Sequence, residues 1–313
     1  MDLFSQAIQD FSAIPAMESW NEAQDIFLRA ASARPTHWLI PARVCEAVGG
    51  SPEQAMPAIL ATGCAHAGIL IVDDMLDDDP RGRHHSLGMP ASSNLAAAFQ
   101  SAALFVASRC TRDQTLGLLA MTNFNDMFRW TAWGQFLDTQ SPTDEDAYWQ
   151  VVKTKSSPFF GAAYLAGALA GGATDKTARQ LEQVGRLYGE MIQIHDDVHD
   201  SMETPANPDW IQGRFPLPIL FASQVQHLQR KRFLRLNRRI SEPEALEEAQ
   251  NILIQCGAIG YCLAQLIRIH QLAEALLSSI PLVNPAPLVL LLDEIMAPVR
   301  ELLKAGDNRE EAV

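Results

Sequence analysis

Apolar residues recur at intervals of three and four along most of the chain, and they seldom alternate with polar residues. That spacing is typical of amphipathic helices, whereas alternation would indicate half-buried strands. Two segments, 91–108 and 156–172, are apolar on nearly all sides, as helices are at the centre of a bundle or in a subunit interface. The predicted helices cover residues 20–33, 36–48, 52–79, 91–108, 112–139, 144–172, 175–203, 214–229, 243–256, 258–279 and 285–305.

Glycine and proline separate these helical segments, and no linker, low-complexity tract or internal repeat is visible between them. We therefore predict one all-α domain over residues 1–313, a single large bundle of about ten or more helices. One basic run, residues 230–239, is interpreted as a solvated face or loop.

Composition excludes several classes of function. The chain has 313 residues, 37 of them acidic against 24 basic, for a net charge of −13. This balance argues against binding to nucleic acid and to anionic lipid surfaces. Residues 158–173 are uncharged and apolar but shorter than the ~20 residues of a membrane span, so we expect no stable membrane insertion. Five scattered cysteines without a CxxC pair, and no signal peptide, predict a cytoplasmic protein.

Two acidic motifs of the form DDxxD carry the candidate chemistry. The first acidic motif covers residues 73–77, and the second covers residues 196–200, 123 positions further along. The predicted ligands are Asp73, Asp74 and Asp77 in the first motif and Asp196, Asp197 and Asp200 in the second. In a helix the first and last carboxylates of each motif project from one face, where like charges repel unless a cation lies between them.

Carboxylate oxygens suit Mg²⁺, which binds a few of them together with waters and substrate phosphates. Two such clusters are able to hold a diphosphate through several Mg²⁺ ions and neutralise it as a leaving group. The alternative interpretation is a solvated acidic helix end, because acidic runs are common.

Further segments join these motifs in a recognisable order. They are His66, two helical turns before Asp73, GQFLD at 134–138, KSSPFF at 155–160, QIHDD at 193–197 and DWIQGRFPLP at 209–218. In this combination the chain resembles the trans-isoprenyl diphosphate synthase (polyprenyl synthase) family, over about residues 30 to 225. The resemblance implies an isoprenoid synthase fold with a central prenyl pocket. It also implies condensation of an allylic diphosphate with isopentenyl diphosphate to a C15–C20 or somewhat longer product.

The resemblance also assigns roles to residues. It implies three Mg²⁺ ions per active site, replaceable by Mn²⁺, and a homodimer. Lys155 and Gln193 are the candidate catalytic residues, with Lys153 as a rival to Lys155. The candidate substrate-binding residues are Arg34, His37, His66, Arg81, Arg83, Ser156 and Arg214.

The isopentenyl diphosphate side departs from the family pattern. In the family's GGKRxRP segment, which falls at 32–38, both glycines and the lysine are missing. Arg34 is then a replacement for the lysine, and His37 stands where arginine is usual. Arginine binds diphosphate bidentately with a fixed charge, whereas histidine is largely neutral at pH 7. Weaker binding of isopentenyl diphosphate, or a different acceptor, follows as a hypothesis.

Chain length is set in this family just before the first acidic motif. Gly68 lies five residues and Ile69 four residues before Asp73. A small side chain there predicts a longer product, and Gly68→Phe is expected to shorten it.

Three alternatives to a synthase remain open on the sequence. The first is a terpene synthase or cyclase, or a prenyltransferase to another acceptor, on the same scaffold. The second is a non-catalytic partner subunit that modulates a true synthase. The third is a simple Ca²⁺- or Mg²⁺-binding protein, against which the lack of an EF-hand loop counts.

Overall fold

The computed structural model describes residues 2–297, which are almost entirely helical and contain no strand. The all-α prediction is therefore confirmed. Residues 286–297 are also helical. The labelled helices are α1 (Leu3–Phe11), α2 (Asn21–Ser32), α3 (Ile40–Ala47), α4 (Met56–Asp77), α5 (His84–Leu87), α6 (Met89–Ala107), α7 (Gln114–Asp138), α8 (Glu145–Lys155), α9 (Ser157–Ala170), α10 (Asp175–Ser201), α11 (Pro208–Ile211), α12 (Leu217–Gln224), α13 (Arg230–Leu236), α14 (Pro243–Gln255) and α15 (Ala258–Ser278).

The described residues divide into two compact units. The first comprises residues 2–132, Pro158–Arg186 and Leu276–Leu288, and the second comprises Trp133–Ser157, Leu187–Ala275 and residues 289–297. The first acidic motif belongs to the first unit and the second acidic motif to the second. The single domain over 1–313 stays a prediction, and its residues 298–313 lie outside the described part.

A chain of stacked aromatic rings forms part of the core of the first unit. Phe11 stacks on Phe27 with ring centroids 4.1 Å apart and on Phe99 at 5.6 Å. Phe27 in turn contacts Trp38 at 5.1 Å. Helix α1, which the periodicity did not predict, supplies Phe4 and Phe11 to this core.

The second unit has its own core, formed largely by α11 to α15. Trp210 and Phe233 are buried there, and the Trp210 indole donates to Asn237 Oδ1 at 3.2 Å. The basic run 230–239 is not a loop: it forms α13 and a 3₁₀ turn. Phe233 and Leu236 face inward while the charged side chains face solvent, as the solvated-face interpretation predicts.

The predicted helix 144–172 is two helices. α8 ends at Lys155 and α9 begins at Ser157. Pro158 explains the break, because proline lacks an N–H and restricts the residue before it, yet fits the first turn of a new helix. The predicted helix 214–229 is likewise shorter, since α12 covers only Leu217–Gln224.

One described helix, Pro52–Asp77, is long and apolar enough to cross a membrane, although the sequence prediction considered only 158–173. In its most apolar stretch 72% of the residues are buried inside the protein, as in a core helix. A bent pair, Pro243–Gln255 with Ala258–Ser278, meets the same length and composition test.

Candidate active site

The second acidic motif occupies the last turns of α10. The Asp196 side chain is 58% exposed, and Asp200 is half-buried one turn further along the same face. Burial, followed by the nearby carboxylates of Glu203, Asp196 and Asp209, raises the pKa of Asp200 to about 6. A cluster of carboxylates that resist ionisation together fits a divalent cation, which would relieve their mutual repulsion.

Asp197 differs from its two neighbours because it is almost fully buried. Its Oδ2 accepts the backbone N–H of Leu217 at 2.8 Å, and its Oδ1 accepts Gln193 Nε2 at 2.8 Å. Burial raises its pKa to about 7. With both oxygens engaged inside the protein, Asp197 anchors the start of α12, and its role as a metal ligand stays a prediction.

Gln193 and Ser156 belong to the same hydrogen-bonded relay. Ser156 Oγ donates to Gln193 Oε1 at 2.7 Å, and Gln193 Nε2 donates to Asp197 Oδ1. Both ends of the Gln193 amide are therefore occupied by protein groups. In this structure both residues position the second acidic motif against the end of α8, and their direct contact with substrate stays a prediction.

Lys155 forms an ion pair with Asp138, whose Oδ2 lies 2.7 Å from the ammonium nitrogen. The backbones of α7 and α8 meet beside this pair, where a Cβ on Gly134 would lie 2.3 Å from the Lys155 backbone nitrogen. The rival Lys153 is exposed; burial raises the pKa of Glu190, and the charge of Lys153 only opposes that rise. Lys155 lines the cavity described below and Lys153 does not, and the choice of Lys155 as the site lysine stays a prediction.

Lys155, Gln193 and Asp197 line a small cavity of about 90 Å³ in the second unit. Arg214 reaches it with a side chain only 12% exposed, and its guanidinium lies 2.7 Å from Asp209 Oδ1. Tyr148, which the sequence analysis did not identify as a site residue, also lines the cavity. The full lining is Asp138, Pro142, Tyr148, Val151, Val152, Lys155, Gln193, Asp197, Asp200, Asp209, Arg214, Phe215 and Pro216.

The first acidic motif lies at the end of α4 in the first unit. Asp73, Asp74 and Asp77 are all partly buried, and the helix ends where Asp78 takes a left-handed conformation with φ of 50°. Burial, then Asp79 and Asp73, raises the pKa of Asp74. As in the second motif, the crowded carboxylates suit a cation.

The two predicted arginines after this motif already have acidic partners. Arg81 pairs with Asp79 at 2.8 Å and is 91% exposed. Arg83 pairs with Asp25 of α2. These ion pairs mean that neither guanidinium is held toward a diphosphate in this structure, so their role as a diphosphate clamp requires the pairs to open.

The predicted isopentenyl diphosphate residues lie in an aromatic setting. The rings of His37 and His66 are 4.4 Å apart, edge to face, and each also contacts Phe159. Trp38 Nε1 donates to His66 Nδ1 at 3.2 Å, which leaves the His66 proton on Nε2. Burial and His37 lower the pKa of His66 to about 3, so this histidine is neutral.

Arg34 is set apart from this pair. Its guanidinium lies 4.7 Å over the ring of Phe4 and 3.4 Å from Asp2 Oδ1, both at the start of the chain. Its backbone is left-handed, with φ of 51°. Arg34 thus lines a 630 Å³ cleft beside α1, whereas His37 and His66 do not line this cleft.

Gly68 does not border an open pocket. A Cβ there would lie 3.3 Å from the carbonyl oxygen of Ala96 and 3.3 Å from Cβ of Phe99, both on α6. Gly68 thus allows α4 and α6 to pack closely, and its role in setting chain length stays a prediction. Ile69, which is partly exposed, stays a predicted chain-length residue.

With this geometry in view, the comparison with known proteins is decisive. The sequence profile of the polyprenyl synthetase family matches residues 23–254. The chain belongs to the polyprenyl synthetase family. It is a trans-prenyltransferase of the isoprenyl diphosphate synthase type. The family uses allylic and isopentenyl diphosphates as substrates.

Individual relatives are consistent with this membership. The geranylgeranyl diphosphate synthase of Methanosarcina mazei is 29% identical over 232 residues, which cover 69% of this chain and 70% of that protein. The short chain isoprenyl diphosphate synthase of Methanothermobacter thermautotrophicus is 29% identical over 231 residues, 69% and 71% of the two chains. The structure of geranylgeranyl pyrophosphate synthetase from Geoglobus acetivorans superposes with a TM-score of 0.80 at 20% identity, covering 95% of this chain and 98% of that one, which shows the shared fold.

Proposed function

We propose that this prenyl synthase condenses an allylic diphosphate with isopentenyl diphosphate in a Mg²⁺-dependent reaction. The observation that carries the proposal is the cleft of the second unit, where Lys155, Asp200 and Arg214 converge beside the second acidic motif. Cations and carboxylates together in a small cavity suit a diphosphate bound through metal ions.

Within this proposal the carboxylates that solvent can reach hold the metal. Asp196 and Asp200 of the second motif, with Asp73, Asp74 and Asp77 of the first, would bind Mg²⁺, for which Mn²⁺ can substitute. When bound, the metal supplies charge that neutralises the leaving diphosphate. Three ions per active site, as the family resemblance implies, are part of the proposal.

The side chains of this chain then have distinct tasks. Lys155, fixed by Asp138, donates to diphosphate oxygens, and Arg214 adds a second donor. The allylic C–O bond breaks with its electron pair leaving on diphosphate. The double bond of isopentenyl diphosphate attacks the resulting cation, and the proton lost afterwards goes to the released diphosphate. The relay of Ser156, Gln193 and Asp197 keeps the second motif in place.

For the product, we propose a short chain of C15–C20 or somewhat longer. The support is the naming of similar proteins: the Methanosarcina relative is a geranylgeranyl diphosphate synthase, and an Aeropyrum pernix relative, 25% identical over 85% of this chain and 90% of its own, is a geranylfarnesyl diphosphate synthase. We also propose a cytoplasmic homodimer.

A second candidate function keeps ionisation but changes the acceptor. The neutral His66, packed among His37, Trp38 and Phe159, offers aromatic faces rather than fixed positive charge. Such surroundings suit a carbocation or an apolar acceptor better than a second diphosphate. A terpene synthase or a prenyltransferase to another acceptor would use this setting.

A product assay separates the two. Purified protein with Mg²⁺ receives dimethylallyl, geranyl, farnesyl or geranylgeranyl diphosphate, each with and without isopentenyl diphosphate. Extended diphosphates only in the paired reactions support the synthase and give its chain length. Hydrocarbons or alcohols from the allylic substrate alone support the second candidate and overturn the first. Asp200→Asn with an unchanged rate would contradict the metal assignment in both.

A further inference from the structure

A polar cluster around one buried histidine joins α15 to the helical residues 286–297 in the second unit, and its two carboxylate side chains are 49% and 34% exposed. It consists of His270, whose side chain is 7% exposed, Glu274 one turn along α15, and Asp293. His270 Nδ1 lies 3.2 Å from Glu274 Oε2, and His270 Nε2 lies 3.8 Å from Asp293 Oδ1. None of these residues belongs to the proposed catalytic cleft.

The two ring nitrogens of His270 are in different situations. Nδ1 is within hydrogen-bonding distance of a carboxylate, which favours the tautomer that carries its proton there. Nε2 then presents a lone pair toward Asp293. This nitrogen is buried and has no hydrogen-bond partner among residues 2–297. The buried Nε2 and an oxygen of the partly exposed Asp293 therefore face each other as two acceptors, and a cation between them would satisfy the buried nitrogen.

The width of the gap selects between a cation and a water. Metal bonds of about 2.1 Å to nitrogen and oxygen span 3.8 Å at an angle of about 130°, wider than the ideal tetrahedral angle. Hydrogen bonds of about 2.8 Å from one water would span it only at an angle near a right angle, which is unfavourable. All three side chains offer a ligand atom within 4.8 Å of the others.

We propose that His270 Nε2 and Asp293 form a binding site for a borderline divalent transition metal, with Zn²⁺ as the best fit. Glu274 acts on the far side of the ring, where it fixes the tautomer and makes Nε2 a better ligand, as carboxylates beside metal-bound histidines commonly do. Mixed nitrogen and oxygen ligands favour such ions over Mg²⁺, which prefers the all-oxygen acidic motifs. Solvent completes the coordination.

Cobalt is a suitable probe because its absorption spectrum reports nitrogen ligation. The full-length protein, stripped with EDTA and returned to excess Mg²⁺ to fill the oxygen-only motifs, is titrated with Co²⁺. We expect one equivalent to develop visible absorption bands that Zn²⁺ abolishes. His270→Gln should lose this signal. His227→Gln should keep it, because His227 is a partly buried histidine of the same unit whose Nε2 lies 2.9 Å from the Ala222 carbonyl oxygen. Equal spectra for both variants overturn the proposal.

Two further variants keep the test independent of folding. We expect Zn²⁺ to stabilise the native chain against thermal unfolding, and Asp293→Asn, which removes one ligand, should abolish that stabilisation. Glu274→Gln keeps both ligands but weakens the tautomer preference, so Co²⁺ affinity should fall by roughly 10- to 100-fold. Circular dichroism confirms that each variant is folded before titration. Unchanged affinity in both variants contradicts the assignment.

Discussion

The ammonium group of Lys155 lies 2.7 Å from Asp138 Oδ2. This ion pair connects two segments, GQFLD and KSSPFF, that are 17 residues apart and belong to different helices. Its two members are each about one-quarter exposed, so the pair opens to the cleft instead of being sealed in the core. Asp138 therefore aims the lysine while leaving donors available to a ligand.

The first prediction concerns this lysine. Lys155→Gln should lower kcat by roughly 100-fold, because a fixed donor to the leaving diphosphate is lost. Asp138→Asn should lower it about tenfold, since the charge of Lys155 remains but its position is less well held. Steady-state release of diphosphate measures both. Lys153→Gln is the matched control and should be near native; a larger loss in this variant would transfer the role to Lys153.

The relay through Gln193 gives the second prediction. Ser156→Ala removes the donor to Gln193 Oε1 and should cost about 1 kcal/mol of stability, together with a several-fold drop in kcat. Ser156→Thr restores the hydroxyl and should recover most of both. The KM for the allylic diphosphate should change little, because Ser156 does not contact substrate in this scheme. A large rise in KM with unchanged kcat would indicate direct binding instead.

Acidic pKa values in the second motif give the third prediction, a pH dependence of stability. Burial raises the pKa of Asp197 to about 7 from an ordinary 3.8, so the folded chain retains a proton that the unfolded chain releases above pH 4. Stability should therefore fall as pH rises from 4 to 7 in EDTA, and then level off. Asp200, with a pKa of about 6, acts in the same direction.

Thermal melts across that range measure the effect, with a fall of at least about 5 °C expected for the native chain. Asp197→Asn cannot titrate, so its melting temperature should depend less on pH. Native-like dependence in this variant would assign the effect to other groups.

Close packing of α4 on α6 gives the fourth prediction. Gly68→Ala should cost about 1 kcal/mol, and Gly68→Phe should cost 3 kcal/mol or more, because the added atoms meet the α6 backbone. Denaturant unfolding measures the free energies. Ile69→Phe is the better variant for product length, and we expect a shorter chain from it at near-native stability. A stable Gly68→Phe enzyme that makes a shorter product would support the prediction that Gly68 lies at the floor of the prenyl pocket.

Sequence periodicity predicted most of the helices because long apolar faces dominate them. It missed α1, although Phe4, Ala7, Ile8 and Phe11 recur there at helical spacing within only nine residues. It also missed the break at Ser156, which depends on the backbone restriction that Pro158 imposes. The second motif, Lys155 and Arg214 were predicted from residue type and order, and the structure brings them to one cavity.

Which side chains pair with one another could not be predicted in the same way. That Arg83 pairs with Asp25, and Arg34 with Asp2 and Phe4, depends on tertiary contacts between residues distant in sequence. The same holds for Gly68, where spacing gives the face of the helix but not what packs against it. Burial of Asp197 beside exposed Asp196 likewise depends on the position of α12.

The bond from Leu217 N–H to Asp197 has a consequence for interpreting mutagenesis. This bond holds the segment that carries Asp209 and Arg214 directly against the second motif. We therefore expect the segment and the motif to move together. Alanine at Asp197 would release that tether and let the arginine drift, in addition to any change at the carboxylates. An alanine scan of the second motif would then assign to Asp197 a loss of activity that is partly caused by displacement of Arg214, 17 positions further along the chain.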